Sequence, residues 1–313
     1  MTTLRWTSLS KTEGYSVTSI AIAQSSVGSY ALAATTSGLL LSENDGNQWR
    51  EAGGDLSGVP ILTVCISPSY STEKQVWVGT SGGIAYSHDL TTWTLASLPQ
   101  ENIVVNTLAA SPNFTQDGIL LAGTLDYGVL RSVSRGSHWH TRNYGILDIG
   151  VLCLAVSPQF ERDETALVGT STGIYRTPNK GLAWRESALP DEEEESIQSI
   201  AFSPSYTKDG LILAGSEAGR LLRSHDTGQT WKHVDSPCKG VPINALVTVT
   251  DPQFGLLWII AAGDTIFVSN DSGENWETYR CAANILCLAS GINHDGQRYF
   301  LAGLQGKGIC IGT

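Results

Sequence analysis

His138 and His140 alternate about Trp139, so on an extended strand both rings point to one side, as two ligands of a single metal would. A second set could do acid–base work. Asp126, Tyr127, Tyr144, Asp148, Glu217, Arg220 and Arg280 stand in turn-rich segments, where a carboxylate desolvated beside another can hold its proton to neutral pH. Gln305 and Lys307 occupy a comparable segment, as does the acidic run from Asp191 to Glu195. A third set is nucleophilic: Cys153 and Cys287 lie in the apolar runs VLCLAVS and ILCLAS. A thiol there would need a base and an orienting acid beside it, yet no histidine falls in those runs and no G-x-S-x-G elbow occurs.

Each set has a plainer reading. His138 and His140 flank an aromatic that recurs along the chain, and His88 and His225 fill one variable slot of the same repeat. His294 stands beside Asp295 and Gly296, which is turn chemistry. Exposed carboxylates are as a rule solvated, and the acidic run reads as a solvated loop or a docking point for a basic partner. No metal and no cofactor is therefore expected. Cys65, Cys153 and Cys287 read as small buried hydrophobes of a reducing compartment.

The elements that carry these residues are set by one repeat, S-x-[D/N]-x-G-x-x-W. It occurs at Ser42–Trp49, Ser132–Trp139, Thr177–Trp184, Ser224–Trp231 and Ser269–Trp276, with a shortened copy at Ser87–Trp93. Trp6 and the tryptophans of these six copies, Trp49, Trp93, Trp139, Trp184, Trp231 and Trp276, follow at steps of 43 to 47 residues, and the step from Trp276 through the C-terminus back to Trp6 is 43. A period of this size marks a propeller or solenoid, and the equal closing step marks a ring of seven. Each unit reads as four short strands. The first closes on Ser-Pro, the second on Gly-Thr, the third enters the repeat and the fourth starts at the tryptophan.

Residues 285–313 supply only three such strands. The predicted fourth is Leu4–Leu9, from the other end of the chain, laid beside Gly308–Gly312. The fold class is thus all-β, a seven-bladed propeller of four-stranded antiparallel blades, with residues 1–313 as a single domain. The column Ser19, Thr63, Thr107, Cys153, Ser199, Ala245 and Cys287 is small throughout, as strands converging on an axis require.

These motifs resemble those of the Asp-box, or BNR-repeat, propellers, and the resemblance runs the length of the chain. It implies that the repeat is structural: its Ser and Asp bond their own hairpin, its Gly takes a left-handed backbone, and its Trp is buried. It also implies that the Asp boxes lie on one face and function on the other. That superfamily includes sialidases, other glycoside hydrolases, sortilin-type receptors and photosystem II assembly factors. The Arg-Ile-Pro segment and arginine triad of sialidases do not occur here. An export signal and basic patch, which the photosystem branch carries, are also missing from the residues, which sets the chain apart from that branch.

Charge narrows the partners. The formal net charge of −11 comes from 30 acidic and 19 basic residues without a Lys/Arg cluster, so neither nucleic acid nor an anionic membrane is an expected partner. The opening residues MTTLRWTSLSKTEGYS have no apolar core of a leader, and the chain is expected to be cytoplasmic and monomeric. The reading favoured is a non-catalytic scaffold binding a protein or peptide on the loop face around the central channel. The alternatives are a hydrolase or lyase acting on a small molecule at the channel mouth, and, behind it, a lectin.

Overall fold

Every blade begins with a strand whose side chains must fit near an axis, and these innermost strands carry small residues where they converge, as at Ser19, Thr107 and Cys153. In the computed structural model, which describes residues 4–25, 28–190 and 194–313, the strands form seven four-stranded antiparallel sheets. The innermost strands, among them Val17–Ser25, Val105–Ala110 and Ile285–Ile292, pack against one another in sequence order around the ring, and the last meets the first. Blades 1 to 6 begin at residues 17, 63, 105, 151, 197 and 243. Blade 7 holds Ile285–Ile292, Arg298–Leu304 and Gly308–Gly312, and its fourth strand is Trp6–Ser8, with Trp6 opposite Gly312 and Ser8 opposite Cys310. The chain's start therefore closes the ring, as expected from the spacing of the tryptophans.

The core sits between blades. Side chains alternate along each strand, so one set enters the seam ahead and the next the seam behind. Ile309 and Ile311 pack with Val17 and Leu40 of blade 1, whereas Cys310 packs with Ile259 and Ile266 of blade 6. The tryptophans Trp49, Trp139, Trp184 and Trp231 are buried, and Trp139 donates from its indole N–H to the Gly136 carbonyl at 2.9 Å. The box itself satisfies its own hairpin: Ser269 Oγ donates to Asp271 Oδ1 at 2.7 Å and accepts from the Gly273 N–H at 2.9 Å.

Two features extend the sequence reading. The small column is hydrogen-bonded as well as compact: Ser199 Oγ donates to the Ile243 carbonyl of the next blade at 2.9 Å, and the Cys153 thiol to that of Ile197 at 3.5 Å. Burial pushes the Cys153 and Cys287 thiols up to about 12, so neither is a nucleophile at neutral pH. The loops after Ser-Pro are not irregular either. They form single helical turns such as Phe114–Asp117, Phe160–Asp163 and Tyr206–Asp209, each fastened by a Ser–Asp hydrogen bond of 2.6 Å, as from Ser157 to Asp163.

On the Asp-box face, the seam between blades 1 and 7 carries a buried polar network. Asp45 is 5% exposed and accepts from Ser29 Oγ at 2.9 Å, from the Ser29 N–H at 2.8 Å and from the His294 ring at 2.9 Å, while Ser29 Oγ also meets the Tyr299 hydroxyl. His294 is thus more than a turn residue; it ties the closing blade to the first. Burial pushes the Asp45 carboxyl up, but the hydrogen bonds from His294 and Ser29 outweigh it and leave it below its ordinary value. The bond to Asp45, with Asp295 nearby, raises His294.

The two signs define a window. A carboxyl lowered by folding stabilises above its unfolded pKa of about 3.9, and an imidazole raised by folding stabilises below about 6.5. The seam should contribute most between about pH 4 and 6.5. Its contribution fades as the pH falls through the folded value of Asp45 or rises through that of His294. Thermal unfolding of His294→Ala should consequently lie furthest below that of the parent chain near pH 5 to 6. The gap should narrow by pH 9; a gap constant with pH would refute the assignment.

Candidate functional site on the loop face

With four strands per blade, the connections from fourth to first strand and from second to third lie on the face opposite the Asp boxes. Their carboxylates are Glu13, Asp55, Glu101, Asp126, Asp148, the run Asp191 to Glu195, Glu217, Asp235 and Asp264, against Lys11, Arg142, Arg220, Lys239 and Lys307. Most of the net charge of −11 thus falls in these connections. Asp191, Glu192 and Glu193 lie outside the described residues.

The structure sorts the sequence candidates into three places. Asp126, Tyr127, Tyr144 and Asp148 come together where blade 3 meets blade 4. Tyr127 is half-buried against the blade 3 core, and its N–H reaches Thr124 Oγ1 at 2.9 Å, so its ring packs as a structural residue. Asp126 is exposed. Asp148 accepts from Ser171 Oγ at 2.6 Å, from the Gly150 N–H at 3.0 Å and from Thr172 Oγ1 at 3.3 Å. Burial raises its pKa, yet these donors prevail and hold it below the ordinary carboxylate range. A carboxylate so saturated fixes a loop and is a poor proton shuttle.

The second place joins Glu217 and Arg220 to Glu195. Arg220 Nη1 lies 2.7 Å from Glu195 Oε2, and Glu195 is 8% exposed. One member of the acidic run is therefore a buried ion-pair partner, with Glu194 and Glu217 exposed at the rim of the open depression it helps to line. Arg280 stands apart and exposed at the end of Glu277–Arg280 in blade 6. Gln305 contacts Asn284, and Lys307 pairs with Glu13 at 3.0 Å across the closing seam. Among the described residues no group of three or more His, Cys, Asp or Glu is placed to hold a metal, and no helix is long and apolar enough to cross a membrane.

Beside the candidate Tyr144 stand apolar residues that the sequence reading did not single out. Tyr144 and Leu147 are 82% and 84% exposed, and Leu125 and Ile149 are exposed in the same pair of loops. The loops 125–128 and 142–150 are tied edge to edge: the Gly128 N–H donates to the Ile149 carbonyl at 3.0 Å, and Asn143 Nδ2 donates to the Tyr127 carbonyl at 3.0 Å while its Oδ1 accepts the Val129 N–H at 2.8 Å. The segment Asn143-Tyr-Gly-Ile-Leu-Asp-Ile149 carried the signal, a loop with four large apolar residues. Only Ile146 of these turns inward. Rigid backbone thus presents an uncovered apolar surface rimmed by Asp126 and anchored by Asp148, an arrangement suited to binding.

The fold, the ring closure and the repeated boxes are those of the Asp-box (BNR-repeat) seven-bladed β-propellers. Within that class, residues 131–279 match the model of the photosynthesis system II assembly factor YCF48 family. The chain is 31% identical over 115 residues to the photosystem II assembly lipoprotein Ycf48 of Synechococcus sp. (strain CC9902), a match covering 36% of this chain and 32% of that protein. The matched segment thus spans about a third of that relative's length. Among solved structures, YCF48 from Cyanidioschyzon merolae superposes with a TM-score of 0.70 at 15% identity over 98% of both chains. The GH74 xyloglucanase of Xanthomonas campestris does so with 0.73 at 18%, over 98% of this chain and 53% of the enzyme. At such identities these likenesses establish the fold alone.

Two expectations are corrected by these findings. The sequence reading set the chain apart from the photosystem assembly branch, yet that branch supplies the matching family model. The cytoplasmic placement is overturned by the lipoprotein relative. It rested on the polar composition of the first residues and on the apolar setting of the cysteines, neither of which reports where a folded ring is delivered.

Proposed function

We propose that this chain is a non-catalytic assembly scaffold that binds a protein or peptide segment on its loop face. The observation that carries the reading is the uncovered patch of Leu125, Tyr144, Leu147 and Ile149, held on hydrogen-bonded loops within an acidic face. Exposed aromatic and aliphatic side chains on a preorganised backbone are the usual anchors of a protein interface. The relatives agree in kind: the matching family is named for photosystem II assembly, and a YCF48 structure with a TM-score of 0.69 at 15% identity holds a D1 peptide.

Charge selects the partner's chemistry. Apolar anchors would seat on the patch, while Lys or Arg flanking them would face Asp126, Glu194 and Glu217. Asp148 and the Glu195–Arg220 pair shape the surface without contributing free charge. The test is a titration with fluorescent 15-residue peptides in which Leu and Phe alternate with Lys, set against the same peptides bearing Glu. The cationic set should bind at micromolar concentration and weaken as salt rises. Preference for the acidic set would overturn the partner assignment, and binding of neither would overturn the scaffold reading for this face.

A further inference from the structure

Cys310 sits in the third strand of blade 7, and the alternation along Gly308–Gly312 turns it away from Ile309 and Ile311 toward blade 6. Cys281 leaves the last strand of blade 6 immediately after Arg280 and packs against that same cluster, its N–H held by the Asp264 carbonyl at 2.8 Å. The two sulfurs thus share one inter-blade core, and both thiols are free. Cys310 is 3% exposed and is covered by the closing strand, with Ser8 Oγ 3.3 Å from its sulfur.

We propose that Cys281 and Cys310 form a reversible disulfide that staples blade 6 to blade 7 beside the ring closure. The chemistry is thiol–disulfide exchange with a small disulfide such as oxidised glutathione. One protein thiolate attacks a carrier sulfur, releasing one thiol and leaving a mixed disulfide. The other protein thiolate then attacks the protein sulfur of that intermediate and releases the second thiol. Two electrons pass to the carrier, and the two protons lost by the cysteines appear on the released thiols. Hydrogen bonds from Cys281 and Ser8 favour the Cys310 thiolate, while the same bond and burial push Cys281 up. Because Ser8 covers the sulfur, the exchange proceeds when Trp6–Ser8 lifts, and the resulting bond keeps blades 6 and 7 together once it has lifted. The Cys65, Cys153 and Cys287 thiols are instead bonded to backbone carbonyls.

The test treats the folded protein with oxidised glutathione, blocks remaining thiols with N-ethylmaleimide under denaturation, and maps the digest by mass spectrometry. A peptide linking Cys281 to Cys310 should dominate, with the other four cysteines blocked. Thermal unfolding should rise by about 5 °C and return to its starting value with dithiothreitol. Neither Cys281→Ser nor Cys310→Ser should show the rise. Glutathione adducts without the linkage, or linkages spread over the other cysteines, would overturn the proposal. The mapping of the parent chain decides the matter even where a serine variant folds poorly.

Discussion

A chain lacking residues 1–9 should lose most of its stability and associate with itself. Trp6–Ser8 is the fourth strand of blade 7, and without it the strand Gly308–Gly312 is left as an unpaired edge. The backbone pairs between Arg5 and Thr313 and between Leu9 and Ile309 would also go. Trp6 lies over Gly312, where an added Cβ would come within 2.8 Å of its ring, and its ring centroid is 6.3 Å from that of Phe300. Removing a tryptophan from such a contact costs about 3 kcal/mol, and the lost strand pairing adds to it, against a total of about 5–15 kcal/mol. Urea unfolding should show the loss, and size-exclusion chromatography should show association through the bare edge. Adding a synthetic peptide of residues 1–9 should restore part of the unfolding midpoint. A deletion that left midpoint and elution volume unchanged would mean that the ring closes some other way.

The second large effect concerns binding. Tyr144→Ala combined with Leu147→Asp should weaken capture of the cationic, apolar peptides at least tenfold while leaving the unfolding midpoint within about 1 °C of the parent. The side chains are more than four-fifths exposed, so their removal opens no cavity and strands no polar group. At an interface, truncating a central anchor typically costs 2 kcal/mol or more, which is about thirtyfold. Asp148→Ala should act differently. It frees Ser171 and the Gly150 N–H, loosens the loop that presents Leu147 and Ile149, and weakens binding through disorder in place of lost contact. Its effect should be smaller, and should appear in the association rate as well as the dissociation rate.

The ring was legible because its signal is periodic: one indole recurs per blade at steps of 43 to 47 residues, and counting those recurrences counts blades. Closure was legible because blade 7 runs out one strand short. Contacts between residues far apart in the chain were not. Asp45 and His294 are separated by 249 positions, and each looks like a turn residue in its own neighbourhood; only the closed ring brings the two turns together. The pairings of Glu195 with Arg220 and of Ser171 with Asp148 are much nearer in the chain, but each joins two connections whose paths carry no period. The aliphatic part of the patch was missed on other grounds. In Tyr-Gly-Ile-Leu-Asp-Ile, apolar residues usually mean burial, and whether Ile146 or Leu147 turns inward depends on the path of a loop that has no period.

Hydrogen exchange on the chain with and without a saturating cationic, apolar peptide tests the loop-face assignment most directly. Protection should gather in loops 125–128, 142–150 and 171–173, with the Asp-box hairpins at 43–49, 224–231 and 269–276 unchanged. Protection confined to those hairpins, or none with the peptide bound, would contradict the assignment.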